Sequence, residues 1–148
     1  MRQFVLPLLS VILLASCGAN ETSSSSYEEH SYAEVSDKII TYDQGFSIDE
    51  EDHFLYFYQE TCHSCEEIKD EVIDFALNVS SHFYFITATE SIPHNYSYQD
   101  INKTIGSSDV NDLFVGVTPQ LVVIKEGKIE KNIINPIYIE TELSHYRS

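Results

Sequence analysis

A short run of large apolar residues, Phe54-Leu55-Tyr56-Phe57-Tyr58, gives way to Cys62-His63-Ser64-Cys65, and an amphipathic segment comes directly after. The run is short and rich in residues that favour extended backbone, so it is predicted as a buried strand. Beyond the cysteines, Ile68, Val72, Phe75, Ala76 and Val79 recur three and four apart, with Glu66, Glu67, Lys69, Asp70, Glu71 and Asp74 between them. That spacing predicts a helix with one buried face, ending near Asn78. The cysteines therefore fall at a strand-to-helix junction, at the helix N-terminus.

Phe83-Tyr84-Phe85-Ile86-Thr87 repeats the buried-strand pattern. Strand, helix and strand in that order predict a right-handed parallel βαβ unit. Leu121-Val122-Val123-Ile124 is a third apolar strand, and Lys125-Glu126-Gly127-Lys128 a hairpin turn into a strand over 129–134. Asn135-Pro136 has the form of a helix start, with Asn as cap, and Ile139 and Leu143 facing the sheet. An edge strand is expected over 38–42, and at most a short helix over 45–52. The stretch 88–117 reads as an irregular excursion with short helices near 100–105 and 109–115, forming either a substrate lip or a surface insertion. The fold class is α/β, a central mixed sheet flanked by helices.

The chain has 148 residues and a net charge of −16, enough for one domain with a core. The acidic excess argues against nucleic acid and anionic membrane surfaces as partners. Met1-Arg2 leads into an apolar stretch of about eleven residues, Phe4 to Leu14, too short to span a bilayer and suited to a secretory signal peptide. Leu14-Ala15-Ser16-Cys17 resembles the lipobox of bacterial lipoproteins, which implies lipidation of Cys17 as the mature N-terminus. The expected organisation is a signal peptide over 1–16, a lipidated, flexible, acidic and Ser-rich tether over 17–36 in which His30 is solvated, and a folded domain over 37–148. The implied location is the cell membrane, lipid-anchored, on the extracytoplasmic face. With Cys17 lipidated, Cys62 and Cys65 are the only thiols of an exported domain, and there they are expected to pair as a disulfide. A disulfide closing so small a loop adds little stability, so chemistry is the better reason for the pair.

Residues three apart at a helix start are neighbours. Cys62, among free backbone N–H groups, is expected to hold a stabilised thiolate and attack; Cys65, one turn on, is placed to resolve the mixed disulfide. His63, Ser64 and Glu60 would tune the pair, a cationic His63 favouring the thiolate while Glu60, Glu66 and Glu67 oppose it. Cys62, His63 and Cys65 are also potential ligands of a copper or zinc carrier. No second ligand pair accompanies them, and His30, His53, His82, His94 and His145 are scattered, so no metal and no other cofactor is expected.

The order strand, Cys-x-x-Cys, helix, strand, then Val117-Thr118-Pro119-Gln120-Leu121 before a hairpin resembles the thioredoxin-like superfamily over roughly 38–148. The layout is also similar to bacteriocin transport accessory-type thioredoxin-like proteins. The resemblance implies a thioredoxin-like fold, thiol–disulfide oxidoreductase activity, Cys62 as nucleophile and Cys65 as resolving cysteine. It also implies a cis peptide bond before Pro119, with Thr118 and Pro119 lining a substrate groove. Three features depart from the pattern. Tyr56 stands where many thioredoxins bury an acid, which leaves water or Glu60 to take the Cys65 proton. His63-Ser64 replaces both the Gly-Pro of thioredoxins and the Pro-His of strongly oxidising relatives. The excursion before Thr118 is longer than in a minimal thioredoxin. The partners implied are exported proteins with thiols or disulfides, an envelope electron-transfer partner, and the membrane through the lipid on Cys17. The alternatives are a non-catalytic accessory module of an export or envelope system, or the metal carrier. Replacing Cys17 by Ala is expected to abolish lipidation and release the protein from the membrane fraction. Unchanged processing and membrane association of that variant would refute the anchor.

Overall fold

The computed structural model describes residues 29–88, 92 and 101–147. The signal peptide, Cys17, the first part of the tether and most of 89–100, His94 included, lie outside the described residues.

Four strands form one sheet in the order β2-β1-β3-β4. The first, β1 (His53–Tyr58), pairs in parallel with β2 (Phe83–Thr87) and antiparallel with β3 (Gln120–Lys125), which forms a hairpin with β4 (Lys128–Ile134). The sheet is mixed, as expected. Its hairpin turns on Glu126 and Gly127, both at positive φ (51° and 69°), the geometry that fits the right-handed twist of paired strands.

All six residues of β1 are buried, because its two faces meet different apolar layers. Phe54, Tyr56 and Tyr58 point into one layer with Phe83, Phe85, Leu121 and Val123, covered by the α-helices. Leu55 and Phe57 point into the other with Ile86, Val122, Ile124 and Ile129. This alternation explains why the strand reads as an unbroken apolar run. The second layer is closed by the irregular excursion, through Ile92, Leu113 and Val115, and by Tyr42, Phe46 and Ile48. That excursion thus supplies core, and single-turn 3-10 helices at Ile101–Thr104 and Val110–Asp112 lie where short helices were expected.

The expected single helix is two. Cys62 caps α1 (His63–Glu67), and Ile68, at φ −112° and ψ 8°, breaks it from α2 (Lys69–Asn78). The bend lets Cys65, Ile68, Val72, Ile73, Phe75 and Ala76 all reach the same layer. The last helix, α3 (Pro136–Ser144), starts as read, with the Asn135 side chain accepting from the Ile137 N–H at 3.1 Å and Ile139 and Leu143 buried. Arg147 ties the chain end back to α2, with Nη1 2.7 Å from Asp74 Oδ2 and Nη2 3.1 Å from Glu71 Oε1.

Two expectations are corrected near the start of the domain. The edge strand over 38–42 is reduced to a bridge between Ile39 and Phe85, because Tyr42–Phe46 turns away as a 3-10 helix. Gly45 there lies so close to β1 that a Cβ would stand 3.0 Å from Leu55 Cδ1. The second correction concerns the end of the tether: Tyr32–Lys38 is a 3-10 helix with a capping box between Ser31 and Glu34, and its Val35 is fully buried in the helix-covered layer. His30 is likewise held, its backbone N–H donating to Asp70 Oδ1 at 2.8 Å and its ring 3.1 Å from Glu34 Oε2. Composition alone marks this stretch as polar, but one buried valine and a reciprocal cap suffice to dock a short segment. Val35→Ala is expected to lower stability by about 2 kcal/mol in urea unfolding, the transfer of two methyl groups plus the cavity left behind. A loss below about 0.5 kcal/mol, the level of an ordinary surface substitution, would mean that the segment contributes nothing to the core.

Candidate functional site

The end of β1 and the start of β3 lie side by side, with Phe57 opposite Gln120. That register brings the cysteines, just past β1, against the residues just before β3. Cys62 has extended backbone (φ −85°, ψ 115°) and its own sulfur serves as the helix cap, accepting the Cys65 N–H at 3.2 Å. Its thiol donates to the Thr118 carbonyl at 3.4 Å. The Thr118–Pro119 peptide is cis, as the resemblance implied, and Pro119 is buried. Cys62, Cys65, Thr118 and Pro119 therefore come together.

Both cysteines are free thiols in this structure. The two sulfurs differ sharply. Burial works to raise the Cys62 thiol, but hydrogen bonds from the Cys65 and Thr118 side chains and from the Cys65 and Ser64 amides outweigh it, and the thiol is held below the ordinary range. Cys65 is 1% exposed. Its burial, and then its hydrogen bond to Cys62, push it up to about 12. One sulfur is thus set up to be a thiolate in water while the other keeps its proton.

The remaining tuning residues sit further out. Ser64 acts through its backbone amide. His63 has a side chain 91% exposed to solvent and pairs with Glu67 at 3.5 Å, not with either sulfur. Glu60 is exposed and borders a cavity of about 460 Å3 together with Tyr32, Tyr58, Glu66 and Lys69. Glu66 is itself engaged by Lys69 Nζ at 2.5 Å. Tyr56 is a core residue, fully buried, as its pattern indicated. Among the described residues no three His, Cys, Asp or Glu side chains gather as a metal-binding group. Among them too, no helix is long and apolar enough to cross a membrane.

Two positioning residues escaped the sequence reading. Gln120, fully buried at the head of β3, donates from Nε2 to the Phe114 carbonyl and to Asn132 Oδ1, both at 2.6 Å, and accepts the Gly116 N–H at 3.2 Å. Asn132 adds a bond to the Phe114 carbonyl at 3.2 Å. Together they clamp the loop that ends at Thr118. The available signal was a polar pair on facing strands of an otherwise apolar hairpin. Beside this loop a small groove of about 90 Å3 runs between Gln59, Ala88, Val115, Gly116 and Thr118.

Solved structures are similar to this chain in fold. The short form of thioredoxin F from spinach chloroplast is 13% identical over 75% of this chain and 93% of that chain, with a TM-score of 0.50. Mitochondrial thioredoxin 3 from Saccharomyces cerevisiae is 19% identical over 73% of this chain and 93% of that one, with a TM-score of 0.46. Plasmodium falciparum thioredoxin is 16% identical over 74% and 98%, with a TM-score of 0.47. No protein-family model matches the chain, and no curated protein does. The likeness is one of fold: this protein has the thioredoxin-like fold, with a Cys-x-x-Cys pair at the start of α1 and a cis proline at the start of β3.

A lowered thiol pKa raises the thiolate fraction at any given pH, so the rate of alkylation of Cys62 by iodoacetamide should rise at lower pH than for a free cysteine, about 8.5. Cys65 should stay unmodified throughout the neutral range. Peptide-resolved mass spectrometry checks both, and equal labelling of the two cysteines at pH 7 would contradict the asymmetry.

Proposed function

We propose that this protein is an extracytoplasmic, membrane-anchored thiol–disulfide oxidoreductase. The observation that carries the chemistry is the placement of the Cys62 sulfur. It lies at the lip of the loop ending in Thr118, where its thiol donates to the Thr118 carbonyl, and it accepts the Cys65 N–H, a bond that stabilises its thiolate. In the reducing direction, the Cys62 thiolate attacks a substrate disulfide and expels one substrate thiolate. Cys65 then attacks the Cys62 sulfur, releases the second substrate thiol and leaves the Cys62–Cys65 disulfide. In the oxidising direction the same steps run backwards. Either way two electrons move between the pair and the substrate.

The location we propose rests on the sequence of Met1 to Cys17, the charged start, apolar core and lipobox. The substrates that fit such a site are exported proteins with thiols or disulfides, served by an electron-transfer partner of the same compartment. The groove between Gln59 and Thr118 is small, about 90 Å3, and its walls include Ala88, Ile92, Val115, Gly116 and Val117. Such a surface recognises an extended peptide more readily than a small molecule.

A second reading, a module that holds a partner without turnover, is favoured by one observation. Cys65 is pushed up to about 12 with no carboxylate among the causes of its shift, which slows the resolving step. Turnover separates the two readings. The purified protein should accelerate reduction of insulin disulfides by dithiothreitol, and Cys62→Ser should abolish the effect. Catalysis that survives Cys62→Ser would reject the assignment, and a wild-type protein that forms a mixed disulfide without turnover would favour the module.

A further inference from the structure

The helix-covered core contains two buried polar atoms without a hydrogen-bond partner among the described residues, the hydroxyls of Tyr32 and Tyr56. Buried hydroxyls are normally satisfied, and each orphan calls for a reason. These two come from different elements, the 3-10 helix before the sheet and the middle of β1, yet both rings pack in the apolar layer that holds Cys65. Their orientation is set by stacking. Tyr32 lies on Tyr58 with ring centroids 4.0 Å apart, and Tyr56 is nearly parallel to Tyr58 at 6.3 Å and 7°.

The Cys65 thiol needs partners at one moment only. When it attacks the mixed disulfide it must become a thiolate inside a layer of aliphatic and aromatic side chains, where a bare charge is costly. The titratable groups around it are Cys62 at the cap of α1, Tyr56 and Tyr58 on β1, and Tyr32, with Glu66 of α1 acting on Tyr32; α3 turns Ile139 and Leu143 toward the same layer. Glu66 is held by Lys69. Both phenols are pushed up, Tyr32 by burial and then by the charge on Cys65 against a lowering by the neighbouring Tyr56 hydroxyl, and Tyr56 by burial, then by Tyr32 and Cys65; the two hydroxyls face each other without the geometry of a full hydrogen bond. Phenols so raised are poor bases, but they remain hydrogen-bond donors throughout the neutral range.

We propose that the Tyr56 and Tyr32 hydroxyls are donors held in reserve for the Cys65 thiolate, so that their unpaired state in the resting dithiol is the counterpart of a hydrogen bond made during resolution. In that step the Cys65 S–H bond breaks and the Cys65–Cys62 S–S bond forms. The bond from Cys62 to the substrate sulfur breaks, and the departing substrate thiolate keeps the electron pair and takes up the proton. The phenols give up no proton; they stabilise the charge while it lies on Cys65.

This inference rests on the exchange reading, and its test is separable from insulin turnover. The full chain is mixed with excess dithiobis(nitrobenzoate), and release of the coloured thiolate is followed by stopped flow. A first phase, proportional to reagent, forms the Cys62 mixed disulfide; a second, independent of reagent, is the attack by Cys65. A Cys17 thiol, where unlipidated, adds only to reagent-dependent release. Tyr56→Phe and Tyr32→Phe should each slow the second phase about tenfold and move its rise with pH upward by about one unit, the worth of one charge-assisted hydrogen bond. The first phase should be unchanged and the melting temperature no lower, because each change deletes an unsatisfied buried oxygen. Second phases superimposable on wild type across pH would overturn the proposal. So would equal slowing of both phases, the mark of a merely structural role, or the absence of a reagent-independent phase in wild type. If wild type fails on insulin but shows both phases, the cellular function falls while the role of the phenols is still decided by the second phase.

Discussion

The structure depends on the burial of β1 on both faces and its bonding along both edges. β2 pairs with one edge and β3 with the other, and every residue from His53 to Tyr58 is buried. A strand so placed has no freedom of register, because a slip by one residue would exchange Tyr56 and Tyr58 for Leu55 and Phe57 in layers of different shape. That rigidity is passed to the segments joined to the strand. Cys62 is anchored four residues beyond Tyr58, Tyr56 lies in the layer that also holds Cys65, and the antiparallel β3 delivers Thr118 to the sulfur from the opposite direction.

The site's electrostatics come from where each sulfur stops. Cys62 halts at the surface, where amides at the head of α1 reach it. Cys65 turns one step inward and loses water. A chain with net charge −16 threatens any thiolate with repulsion, yet two carboxylates of α1 are engaged, Glu66 by Lys69 and Glu67 by His63. The polar clamp of Gln120 and Asn132 adds a second form of control. It fixes the loop ending at Thr118 by satisfying backbone groups inside an apolar hairpin, where a missing partner would be costly.

The strands, the hairpin turn, the cap of α3 and the cysteine junction were legible because each is written locally, in period, in Gly and Asn at turns, and in Pro after a cap. The break at Ile68 was not, since the apolar spacing continues across it and only the demand to bury Ile73 with Phe75 and Ala76 bends the helix there. The docking of 30–38 was hidden for the opposite reason. Its one apolar anchor, Val35, gives no period, and its hold depends on Asp70 forty residues away and on a capping box of ordinary surface residues. The expected disulfide was argued from compartment, which geometry does not encode; the structure describes the pair in its thiol form.

By itself the sequence determined the element types, the α/β class and the cysteine pair at a helix start, because backbone preference and side-chain period act over a few residues. Only the tertiary structure decided which sulfur is exposed, which residues clamp the loop ending at Thr118, and that two tyrosine hydroxyls lie unpaired in the layer that holds Cys65. Those outcomes depend on burial and on contacts between elements tens of residues apart, and no local pattern carries them.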